Sequence, residues 1–81
     1  MRLTSEKVGE LVKTARQRLG VTQRALALTS GTGLRFIVDL EKGKPTCQLG
    51  KALVVLNTLG VEMALKLPPA EKAVERDTTG E

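Results

Sequence analysis

Histidine, tryptophan and tyrosine are absent from this chain, and cysteine and phenylalanine occur once each. Each absence removes a class of function. Without histidine, Ser5, Ser30 and Cys47 have no ready base to activate them as nucleophiles. A single cysteine forms no intrachain disulfide, and with no histidine beside it the usual metal cages are excluded. Paired acids for proton transfer are missing too, because Asp39 and Glu41 stand two apart on a helix and face differently. No apolar run reaches the ~18 residues of a membrane span, and "MRLTSEKVGE" lacks the apolar centre of a secretory signal. Two glycine-containing stretches are near misses. "GTGLRF" has Phe36 where a dinucleotide fingerprint needs its third glycine, and "GKPT" has Val38 where a phosphate loop needs its first. The expectation is a cytoplasmic protein that is not an enzyme, holds no metal or cofactor, and has no membrane partner.

What is present is one small domain with a lopsided charge. The 81 residues suffice for a single core that supplies only a few kcal/mol, so self-association is the expected supplement. Residues 1–67 hold eleven Lys/Arg against five Asp/Glu, whereas residues 68–81 hold two against four. A basic body with an acidic tail favours a polyanionic partner, since neutralising phosphates releases counterions.

The apolar spacing predicts four helices. The first runs from about Ser5 to Leu19, opened by Thr4 or Ser5, with Val8, Leu11, Val12, Ala15 and Leu19 on one stripe and Gly20 as its stop. Thr22 caps a short second helix, which "TSGTG" (29–33) breaks. The third covers Leu34 to Lys42 and stops at Gly43. After the turn at Pro45, Thr46 is expected to cap a fourth helix with Leu49, Ala52, Leu53, Leu56 and Leu59 on its inner face.

The period then changes. In "VEMALKL", Val61, Met63, Leu65 and Leu67 alternate with Glu62, Ala64 and Lys66, which is strand spacing ended by Pro68 and Pro69. A lone strand leaves its own N–H and C=O groups unpaired, and this chain offers no second one. The same strand of another copy, antiparallel across a two-fold axis, is one solution; an extended arm laid on its own core is the other. Residues 68–81 lack an apolar face and are expected to form a flexible polar tail.

From Thr22 to Glu41 the pattern is helix, glycine turn, helix. "TQRALALTSGTGLRFIVDLEKGK" resembles the helix-turn-helix of the phage-repressor-like, xenobiotic-response-element (XRE) class of DNA-binding domains. The resemblance rests on Thr22-Gln23, Ala27, Gly31, Ile37 and the closing "LEKGK". The continuation "KPTCQLGKALVVLNTLGVEMALKL" is similar to the HipB-type antitoxin regulators, giving a likeness over residues 5–67. Gly33, where Ser or Thr is common, and Ala25, where an acid often stands, depart from the pattern.

The resemblance implies a mainly α, four- to five-helix lambda-repressor-like domain over residues 1–67. Its late strand (Val61, Met63, Leu65, Leu67) would pair across a homodimer, and its third helix would enter the DNA major groove. Ile37 and Leu40 would pack inward, leaving Thr32, Gly33, Leu34 and Arg35 to reach base edges. Arg35 can bridge guanine O6 and N7, and Leu34 can cover a thymine methyl; against this, Arg35 can be read as a solvated charge and Leu34 as packing. Gln23, Arg24, Lys42 and Lys44 are the expected phosphate contacts. Arg16 and Glu41, by the same match, form a structural ion pair. The implied function is a sequence-specific repressor on a palindromic double-stranded operator, acting as the autoregulator of a HipBA-like toxin–antitoxin operon with a HipA-like partner. A stand-alone XRE-type repressor, or an interaction module that has lost DNA binding, are the rival readings.

Overall fold

The computed structural model describes residues 2–69; the expected tail therefore lies almost wholly outside the described residues. Four helices follow one another: α1 Ser5–Arg18, α2 Gln23–Ser30, α3 Leu34–Glu41 and α4 Leu49–Thr58. Their ends follow local chemistry. The Thr4 hydroxyl accepts from the Lys7 N–H, and the Thr22 hydroxyl accepts from the Ala25 N–H, both at 3.0 Å. Gly31 closes α2 in the left-handed conformation (φ 74°), and its place there lets the chain turn sharply into α3.

The core is one cluster: Val12 of α1, Leu26 and Ala27 of α2, Ile37 and Leu40 of α3, and Ala52, Val55 and Leu56 of α4. α3 is the hub, with α1 and α2 packed on it. Gly9 permits the α1–α3 approach. A Cβ built there would lie 2.5 Å from the Leu40 carbonyl oxygen and 2.8 Å from that of Glu41. The last carbonyls of α3 thus press on bare α1 backbone, and any larger residue would push the two helices apart.

Three expectations need correction. Thr46 does not cap α4: a turn closed by Cys47 N–H to Lys44 C=O occupies residues 44–47, so α4 starts after Gln48. The inner face of α4 is Ala52, Val55, Leu56 and Leu59, not the predicted Leu49 and Leu53, which are exposed. On α1, Leu11 and Leu19 are likewise exposed while Val12 is fully buried. The causes differ. α4 is apolar on more of its circumference than one small core can cover, so spacing alone does not choose the side. On α1, Leu11 stands at the edge of a narrow apolar stripe, and Leu19 lies past the helix as its C-cap.

Among the described residues there is no strand; residues 61–69 carry no regular structure. Val61 packs at the core edge, but Leu65 and Leu67 are 82% and 92% exposed. A β-ladder needs a partner strand, and a single copy has none. No helix among the described residues is long and apolar enough to cross a membrane.

Candidate nucleic-acid interface

α3 divides around its axis into a gripped side and an open side. Ile37 and Leu40 are buried, and Glu41 sits on the flank facing α1 and α2. Leu34 and Arg35, in the first turn, are exposed.

The grip is polar as well as apolar. Arg16 Nε donates to Glu41 Oε2 at 2.6 Å, and a second guanidinium nitrogen donates to Oε1 at 3.1 Å, a two-pronged pair between α1 and α3. The third nitrogen donates to the Val21 carbonyl at 2.8 Å. The side chains are 12% and 4% exposed, so the pair is largely shielded from water. The Glu41 hydrogen bond and charge hold the Arg16 guanidinium above its ordinary value, against the opposing effect of burial. An arginine raised further stays charged at every working pH, and the stability tied to its proton is lost only in strong alkali.

Gln23 joins the same network. Its Nε2 donates to Glu41 Oε1 at 3.0 Å, so one amide hydrogen is already spent inside the protein. The other remains available to an acceptor at the start of α2. Arg24, beside it, is exposed.

The turn before α3 is tied down differently. Thr32 is half-buried, its hydroxyl 3.0 Å from that of Ser30, which in turn donates to the Leu26 carbonyl. Gly33 is the N-cap of α3 and supplies no side-chain bond, and a Cβ there would meet only open space. Its backbone is therefore accessible because of where it lies, not because packing demands glycine. Arg35 makes no ion pair among the described residues. Lys42 is exposed, whereas the Lys44 ammonium stands 3.5 Å from Asp39, one turn beyond Arg35. That contact offsets the negative charge of Asp39.

Two residues escaped the sequence reading. Gly9 left no signal, since a glycine inside a helix looks only like a weak helix former. Lys51 did leave one: it is the lone charge in α4, and its ammonium lies 5.8 Å from the centroid of the Phe36 ring.

The sequence and the fold are each similar to those of other proteins. An HTH-type transcriptional regulator of Sinorhizobium fredii (strain NBRC 101917 / NGR234), y4mF, is 49% identical over 69 residues, spanning 85% of this chain and 90% of its own. The chain belongs to the HTH-type transcriptional regulators. Such a regulator is not an enzyme. Its fold is that of HipB: chains in the HipA–HipB–O2–O3 complex and in the HipB–O4 20mer complex superpose with a TM-score of 0.74 at 23% identity. Each covers 85% of this chain and 97% of the solved one. No family model matches the sequence. The helix-turn-helix of this regulator is α2, the turn at Gly31–Gly33, and α3.

Proposed function

We propose that this DNA-binding regulator is a homodimeric repressor that reads a palindromic operator with the first turn of α3. The observation that carries the reading is the contrast on that helix. Ile37, Leu40 and Glu41 fix it to the body, while Arg35 stands exposed and without an ion-pair partner among the described residues. A rod so held delivers its free arginine to a groove without reorganising. Arg35 bridges guanine O6 and N7, Leu34 and Thr32 approach neighbouring bases, and Gly33 lets the backbone come close. Gln23, through its remaining amide hydrogen, together with Arg24, Lys42 and Lys44, meets phosphates.

Dimerisation is supported by apolar surface left uncovered. Leu3, Leu11, Met63 and Leu65 line one cleft beside the late segment; Leu53, Leu56, Val61 and the same Met63 and Leu65 line a second. A second copy pairing its residues 61–67 with these would satisfy the free backbone groups and cover the leucines. The two α3 helices would then stand about 34–36 Å apart, one turn of duplex. The finer role is autoregulation of a toxin–antitoxin operon with a HipA-like partner. It is supported by the HipB likeness and by a solved neighbour assembled with HipA.

The test is titration of the duplex upstream of the gene at rising salt. A steep fall in affinity is the expected result. Binding indifferent to ionic strength, or none, would favour the interaction-module reading.

A further inference from the structure

We propose that Lys51 is a phosphate contact of the same interface, held in place by the Phe36 ring; the proposal rests on the DNA-binding reading above. At 3.6 residues per turn, Phe36 and Glu41 lie about 140° apart around the axis of α3, on opposite flanks of its exposed face. The Glu41 flank carries Gln23, bonded to the carboxylate at 3.0 Å. The Phe36 flank carries Lys51, whose ammonium sits 5.8 Å from the ring centroid. α3 is thus bracketed, Gln23 from α2 on one side and Lys51 from α4 on the other. A helix lying in a major groove has a phosphate-lined wall on each flank. Gln23 addresses one wall, and Lys51 is placed to address the other.

Chemistry supports the assignment. Lys51 is exposed and forms no ion pair among the described residues, so its charge is not spent on a protein carboxylate. A surface lysine normally samples many rotamers. Attraction between the ammonium and the ring face narrows that range beforehand. Phe36, the only aromatic residue of the chain, is itself half-buried against the core and therefore a fixed platform. Phe36 acts as a positioning residue, and Lys51 makes the contact.

The experiment titrates the upstream duplex and a random-sequence duplex with wild-type, Lys51→Met, Lys51→Arg, Phe36→Leu and the Lys51→Met/Phe36→Leu double variant across a salt series, with thermal melting of each free protein. Lys51→Met is expected to melt as wild type and to flatten the salt slope by about one per protomer. Its affinity at 0.1 M salt falls about tenfold per protomer, equally on both duplexes, because phosphates carry no sequence information. Lys51→Arg restores the slope. Phe36→Leu weakens binding less, and the double variant binds no more weakly than Lys51→Met alone. A wild-type slope in Lys51→Met overturns the assignment while leaving the DNA-binding reading intact. Additive losses in the double variant overturn the positioning role of Phe36. A wild-type protein that binds neither duplex overturns both the assignment and the reading beneath it.

Discussion

The two ends of α3 are built on opposite principles. Its C-terminal end is fastened by the Arg16–Glu41 pair, by Gln23 and by carbonyls pressed against Gly9. Its N-terminal end has a cap without a side chain, an exposed Leu34 and an Arg35 free of ion pairs among the described residues. Stability is concentrated where the helix meets the body, and unspent hydrogen-bonding capacity where it meets solvent. A change at one end should therefore cost folding, and a change at the other should cost recognition.

The sharpest way to break that division is Glu41→Ala. It leaves the shielded Arg16 guanidinium without its partner, and the expected loss is about 3–5 kcal/mol in denaturant unfolding. A loss near zero would mean that the body does not depend on the pair. Gly9→Ala comes next. The added methyl meets two carbonyl oxygens, and overpacking of this kind costs about 1–3 kcal/mol, read from the same unfolding curves. Arg35→Ala tests the other end. Unfolding should stay within about 0.5 kcal/mol of wild type. Discrimination between the operator and a guanine-substituted variant should fall by about 1–3 kcal/mol, measured by competition binding. Met63→Pro touches neither end. Under the proposed pairing of residues 61–67 across a dimer it removes a backbone donor, and the expected result is a lower association state in sedimentation with the helices, read by circular dichroism, unchanged.

The body was more legible than the surface it offers. Thr4, Thr22 and Gly31 mark their helix boundaries through local capping chemistry, which acts over a few residues and needs no tertiary knowledge. The inward packing of Ile37 and Leu40 was legible through the helix-turn-helix likeness, and both are buried. The buried side of α4 was not legible, because that helix carries more leucine and valine than one core absorbs. Val55 therefore went unnoticed behind Leu53. Nor does spacing relate Arg16 to Glu41, twenty-five residues apart; only the family likeness joins them. Gln23 taught the most about the candidate site. Its position suggested a free amide facing phosphate, whereas half of that amide's donor capacity belongs to Glu41. Lys51 and Phe36 lie fifteen residues apart on different helices, so their meeting is a product of the fold.

Footprinting on the DNA upstream of the gene tests the central claim most directly. Two protected stretches centred one helical turn apart, with guanines in the major groove that lose protection in Arg35→Ala, are the predicted result. A single isolated stretch, or protection that Arg35→Ala leaves unchanged, would contradict the paired-helix account of this regulator.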